Sequence, residues 1–551
     1  MRLQAEVRTF CTAGASIILA AFSLTAWALY ITRTQLFIYD DAFMFYRYAY
    51  NLHHYHAIAW NPDGPHVYGT TSLPWLFVVT AFSYLPVSPE IALDLASSVF
   101  FLLTVALVAR VLSKQSQSSI FIKPWNIFCI LICFCTLSTT FLTNATGGME
   151  TMLSLMANSM VCLLAIQIIR QATTKNTWKL LPIAAFFAYS VRPESGICDL
   201  MLPSLAIVFF VNQNKIQRLV HFLFFTFLLI GFELVSCNIY FGTALPLSFY
   251  AKSTSIANIY WNVWPINLFD FSGLLVVCLA AIVMTASKKN LRLIFCFLVP
   301  TFLTFLYLST IIQLSGEAGR YYCAYLPYFF IPAFAVVDFY LANNILISAK
   351  SLLVRFCIAT AITSTATISY GLSVWKFAIQ ITKHPFVETY MRSFRSNDPI
   401  LPQLPWQNDL VAFSNDVACK LPYGVKIAAG EDGYLSAQCH NLPIVDMGGL
   451  NDNVIARTGF SAEYVLQKKP DLIWMPNSDF YDVWRQKLFL NPAFQTNYDY
   501  IADAFNFGIA IRKDSPYYAQ ILAVLRQAWP KYYPNTCIAP ICIASHPTSK
   551  S

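Results

Sequence analysis

The sequence predicts a polytopic α-helical membrane protein, with about eleven transmembrane helices and a small α/β domain at its C-terminal end. Two observations carry this. Of 551 residues, 57% are hydrophobic and only 12% are charged, whereas a soluble domain carries about 25% charged residues. The long apolar runs also stop near Thr382, and beyond it short polar and apolar stretches alternate between turn-formers. The formal charge, 36 − 28 = +8, then belongs to cytoplasmic loops and does not point to nucleic acid.

In chain order, the run from about Thr12 to Ile31 follows Arg2 and Arg8. It is longer than a signal-peptide core and lacks a clear small-x-small site before Arg33, so it reads as a retained anchor. Further apolar segments lie at 91–112, 125–143, 151–169, 180–191, 197–211, 219–239, 269–286, 293–313, 323–341 and 356–375. The pair at 180–191 and 197–211 is short and reads as broken or tilted. Leu73–Val87 is apolar over only about 15 residues and reads as re-entrant or interfacial. Charge fixes the topology. With 73–87 not spanning, fifteen cations, including Arg110, Lys114, Lys175, Lys215, Lys288 and Arg355, fall on one side. Five, Arg33, Arg47, Arg192, Lys252 and Arg320, fall on the other. By the positive-inside rule the N-terminus is cytoplasmic and both Asp40 and the C-terminal domain are outside.

The chemistry is expected in those outer segments. The first, 32–90, opens with Asp40-Asp41, continues through Arg47 and His53, His54 and His56, and closes on the turn-formers Asn61-Pro-Asp-Gly-Pro65. Adjacent like charges raise one carboxyl pKa, and burial adds to this. A carboxylate so poised can take a proton from an acceptor hydroxyl, or the pair can hold a divalent cation through oxygen. Arg47, Arg192, Lys252 and Arg320 are expected to converge on this face, where Arg forks and a Lys point charge would suit a phosphate. Glu150 and Glu194 are weaker candidates, and Arg192 and Glu194 flank Pro193 and could hold that turn. His66 and Tyr68 line the acceptor cleft or pack the loop. The three histidines lack zinc spacing. Glu233 lies inside an apolar run, where an acid needs a partner or water.

Eleven of the 15 cysteines, Cys11 to Cys357, sit in or beside apolar runs and act as small hydrophobes. Cys419, Cys439, Cys537 and Cys542 lie in the polar region, where Cys419 and Cys439 are expected to pair in an oxidising compartment. In that region, residues 382–551, buried strands are predicted at Lys426–Gly430, Leu442–Gly448, Pro470–Pro476 and Phe507–Arg512, and a helix at Pro516–Trp529. Gly430-Glu-Asp-Gly433 reads as a plain strand-to-helix turn, because no GxGxxG or Walker pattern accompanies it.

Eight motifs stand in order: Asp40-Asp41, Arg47-Tyr-Ala, Trp60-Asn-Pro, Tyr68-Gly-Thr-Thr-Ser-Leu-Pro-Trp75, Gly148-Met-Glu-Thr151, Arg192-Pro-Glu194, Phe249-Tyr-Ala-Lys252 and Arg320-Tyr-Tyr322. Together they resemble the GT-C superfamily of membrane glycosyltransferases. Within it they resemble the bacterial terminal arabinofuranosyltransferase-like subgroup and the related Legionella protein LphB. Asp446-Met-Gly-Gly-Leu-Asn-Asp452 extends the likeness into the outer domain. The resemblance implies an enzyme of the bacterial inner membrane with a GT-C-like transmembrane domain over 1–381 and a periplasmic domain over 382–551. It implies a polyprenyl-phosphate-linked sugar donor, an envelope glycan, lipid or protein acceptor, and inversion at the anomeric carbon. By the same resemblance Asp40 is the general base. Asp41 orients it or binds Mg or Mn. Arg192, Lys252 and Arg320 hold the donor phosphate, with Arg47, His66, Tyr68, Glu150, Glu194 and Tyr322 as acceptor or loop support. One departure is Ser195 before Gly196, where relatives place glycine directly after Arg-Pro-Glu. Two other readings use the same residues: a flippase or transporter for lipid-linked saccharide, and a non-catalytic assembly subunit whose acids pair with Arg47.

Overall fold

The computed structural model describes residues 38–117, 121–136, 139–252, 288–310, 319–343, 405–476, 478–534 and 540. The apolar segments at Thr12–Ile31, 269–286 and 356–375, the boundary at 382, and Cys537 and Cys542 lie outside them.

Among the described residues, five helices are long and apolar enough to cross a membrane: Pro89–Gln115, Thr151–Ile169, Pro193–Phe210, Lys215–Phe241 and Leu291–Leu308. The 125–143 segment forms two pieces, Pro124–Thr136 and Thr139–Thr146, and 323–341 forms Pro327–Asn343. Leu73–Ser83 has 11 residues, about 16 Å at 1.5 Å per residue, too short to span. Ser72 accepts from Trp75 N to start it.

The expected break at 192 is real. Lys175–Val191 ends at Arg192, whose backbone is extended at φ −146° and ψ 108°. Pro193 is the cause, since a residue before proline is pushed out of the helical region. The chain then re-enters as Gly196–Phe210. Phe101, Phe297, Tyr325, Tyr328 and the inner face of Thr151–Ile169 form the bundle core, while Phe224, Phe227, Phe232 and Ile239 of Lys215–Phe241 stay exposed, as a lipid-facing helix requires. Glu233 on that helix accepts from Ser190 Oγ at 2.5 Å.

The C-terminal domain is a five-stranded sheet in the order β2-β1-β3-β5-β4. Its strands are β1 (Ile427–Ala429), β2 (Ile444–Asp446), β3 (Leu472–Trp474), β4 (Tyr498–Ile501) and β5 (Ile509–Arg512). β1 is parallel to β2 and β3, while β5 is antiparallel to β3 and β4. The first three are wholly buried, as short apolar runs with helices on their faces must be. β4 is the strand that periodicity misses. It reads Tyr-Asp-Tyr-Ile and buries only its two ends. The expected helix runs Tyr518–Tyr532, and Cys419 and Cys439 form a disulfide.

One apolar cluster runs without interruption from the segment after Asp40 into this domain: Phe43, Tyr48 and Trp60 belong to the same core as Leu435, Leu442 and Ile444. The segment after Asp40 and the C-terminal domain therefore lie on one side of any membrane. That requires an even number of crossings between them.

Candidate active site between the first outer segment and the C-terminal domain

The acid pair opens a helix, Asp40–Tyr55. Carboxylates in a first turn face the positive end of the helix. Consecutive helical residues point about 100° apart, and the two acids accordingly take different partners. Asp40 turns to the C-terminal domain, where Gly433 N donates to Oδ2 at 3.0 Å and Tyr434 N to Oδ1 at 2.8 Å. Burial pushes its carboxyl up to about 6, with Asp41 adding to the rise and the two amides opposing it. Asp41 stays more open and accepts from Arg320 Nη2 at 2.6 Å. The guanidinium of Arg320 is itself buried and lies over the rings of Tyr39 and Tyr321, at 4.9 and 5.2 Å.

A second group meets at Tyr321. Arg192 donates to Glu194 at 2.8 Å, lies 3.7 Å from Glu150, and sits 4.8 Å over the Tyr321 ring. Lys252 ends the helix Leu247–Lys252. Burial raises the Tyr321 phenol, but the fields of Lys252, Arg320 and Arg192 outweigh it and hold the group below its ordinary value. A half-buried tyrosine made more acidic marks a strongly positive pocket. Arg192, Lys252 and Arg320, separate in sequence, thus act on one ring. Tyr321 was not among the sequence candidates, although it stands between two of them in Arg320-Tyr321-Tyr322.

Arg47 does not join these cations, contrary to the expected convergence. It is fully buried at the domain contact and donates to Trp60 O, Ser436 O, Cys439 O, His440 O, Leu442 O and Asn61 Oδ1. The pairing of the acids with Arg47, needed by the assembly-subunit reading, is not found, since Asp41 pairs with Arg320 instead. His66 lies against Tyr240 at 4.3 Å, and Tyr68 stacks on Phe241 at 4.7 Å. Both dock the end of the first segment on helix Lys215–Phe241. Tyr322 is buried edge-on to Phe305. Glu194 pairs with Arg192 across Pro193, as the flanked proline suggested, and Glu150 lies against the same guanidinium.

The acid pair is already engaged by donors of the protein itself. The Asp40 oxygens accept two amides, Asp41 holds a guanidinium, and among the described residues no three His, Cys, Asp or Glu side chains are arranged as a metal site.

The turn Gly430–Gly433 does lead from β1 into a helix, Gly433–Gln438, but it is not plain, because its amides hold Asp40. An alanine Cβ at Gly433 would stand 2.1 Å from Asp40 O and 2.7 Å from its Oδ2.

An acid pair facing a cation pocket, on a helical bundle capped by an α/β domain, can be compared with solved structures. The crystal structure of ArnT from Cupriavidus metallidurans in the apo state matches over 91% of this chain and 98% of its own, with a TM-score of 0.53 at 12% identity. This is a GT-C-like fold. ArnT bound to undecaprenyl phosphate matches with a TM-score of 0.54, 11% identity, and 90% and 98% coverage. The archaeal oligosaccharyltransferase AglB from Archaeoglobus fulgidus, in complex with an inhibitory peptide and a dolichol-phosphate, matches more loosely, with a TM-score of 0.44, 14% identity, and 92% and 75% coverage. A family model described as a domain of unknown function, DUF8728, matches residues 407–522, within the C-terminal domain. No curated protein matches in sequence.

Proposed function

We propose that this chain is an inverting glycosyltransferase that moves a sugar from a polyprenyl-phosphate carrier to a hydroxyl of an envelope acceptor, on the periplasmic face of a bacterial inner membrane. The observation that carries the reading is the joint at Arg320, whose guanidinium touches the acid pair through Asp41 and the cation pocket through Tyr321. The eight ordered motifs of the GT-C and terminal arabinofuranosyltransferase-like resemblance support it. So does the undecaprenyl phosphate carried by a similarly folded ArnT.

In this mechanism the Asp40 carboxylate takes the proton of the acceptor hydroxyl as its oxygen attacks the anomeric carbon. The bond from that carbon to the phosphate oxygen breaks on the opposite face. The leaving polyprenyl phosphate gains one negative charge, which Arg192, Lys252 and Arg320 stabilise and Tyr321 solvates by donating its hydroxyl hydrogen. Fixed donors in a shielded pocket suit this because they need no reorganisation when the charge develops. Asp41 holds Arg320 between the two groups.

The test uses protein in lipid with polyprenyl-phosphate sugars and follows release of polyprenyl phosphate. Release by the wild type, lowered by about 10² to 10⁴ in Asp40→Asn, supports the transferase. Equal release by both removes Asp40 as the base, and transport without release rejects the transferase in favour of a flippase.

A further inference from the structure

The helices Asp40–Tyr55 and Gly433–Gln438 run side by side in the same direction. Asp40 meets the first amides of the short helix, and Arg47, two turns further on, meets its last carbonyls. Helix ends carry backbone groups without intrahelical partners, and the charges here match those ends, acid at the start and cation at the finish. The Arg47 fork is saturated: Nη1 donates to Ser436 O at 3.2 Å, Cys439 O at 3.3 Å and His440 O at 2.9 Å. Nη2 donates to Leu442 O at 2.9 Å, and Nε to Trp60 O at 2.9 Å. Cys439 is tied to Cys419, so the carbonyl cradle is fixed from behind.

We propose that Arg47 is a positioning residue for Asp40: the two side chains clamp opposite ends of Gly433–Gln438, and this helix, acting as a strut, sets where the Asp40 carboxylate stands. The inference rests on the reading of Asp40 as general base. Releasing its far end from Arg47 moves the Gly433 and Tyr434 amides off Asp40 and lets water reach the carboxyl. The C-terminal domain is then part of the catalytic machinery, although it contributes no group to the reacting atoms.

Two variants of the full chain in lipid test this. Arg47→Gln removes the far grip. Gly433→Ala forces the near one apart by the contacts given above, while alanine favours the helix itself. The first readout is amide hydrogen exchange at Gly433 and Tyr434, expected to quicken about tenfold or more in both. The second is transfer, where kcat should fall about tenfold to a hundredfold with the donor KM little changed. The acid limb of the rate should move away from about 6, because the variants change both the burial that raises the Asp40 carboxyl and the two amides that lower it. A folded variant with unmoved limb and wild-type kcat overturns the proposal. So does lost activity with amide protection intact. Should Arg47→Gln fail to fold, Gly433→Ala decides alone. If the wild type releases no polyprenyl phosphate from any donor, the transferase reading fails, and the exchange measurement still judges the clamp.

Discussion

Asp40 combines two demands that oppose each other at the level of one carboxyl group. Burial favours its neutral form, while a general base must be ionised. With its pKa near 6 in the fold against 3.8 as the reference, the folded protein binds this proton more tightly than the unfolded chain. The group therefore contributes relative stability at low pH that is lost as pH rises from 3.8 to 6. Activity follows the other direction. The transfer rate should rise through about pH 6 to a plateau, and a pH-rate profile flat from 5 to 8 would remove Asp40 as the base. Tyr321→Phe keeps the ring under Arg192 and Arg320 and deletes only the hydroxyl. Losing a hydrogen bond to a charged group costs about 1.5–3 kcal/mol, so kcat should drop roughly tenfold to a hundredfold, read from single-turnover transfer. The residues that sequence reasoning ranked well were those whose type alone is costly in an apolar setting, such as Arg192 and Arg320. Tyr321 escaped because a tyrosine beside a membrane is ordinary, and only the convergence of three loops makes it otherwise.

Among elements, the contact between the first outer segment and the C-terminal domain is tight enough to be tested by single atoms. Tyr48 Oη donates to Asn451 Oδ1 at 3.0 Å, and Asp446 accepts from Gly448, Gly449 and Asn451 amides to shape that loop. A Cβ at Gly69 would come within 2.3 Å of both Asn451 Oδ1 and Tyr48 Oη. Gly69→Ala should cost about 1–3 kcal/mol, and thermal unfolding in detergent that matches wild type would contradict this packing. The disulfide closes a separation of 20 residues, for which chain entropy gives about 3 kcal/mol; reduction should lower the domain's unfolding temperature. Five of the predicted spans, the broken pair at Arg192 and four of the five strands among the described residues were legible from apolar runs and one proline. β4 was not, because a polar edge strand carries no period. The role of Gly430–Gly433 was not either, because a turn's partner 393 residues away leaves no local signal.

For the molecule as a whole, the contact across that separation restricts topology more firmly than charge counting does. Labels placed at Asp63 in the first outer segment and at Leu490 in the domain, both exposed, should react from the same side of intact cells. Labelling from opposite sides would refute the fold described. The bond from Asp40 to Gly433 spans most of the chain, and that carries a consequence for biosynthesis. At about 5–20 residues per second, the ribosome needs on the order of half a minute after making Asp40 before its partner exists. Every span between them is inserted in that time, and Arg47 waits with Trp60 O but none of its C-terminal-domain carbonyls to grip. A chain interrupted before residue 433 thus has Arg192, Lys252, Arg320 and both acids but no amides to hold Asp40, so an unfinished copy in the membrane is an idle one.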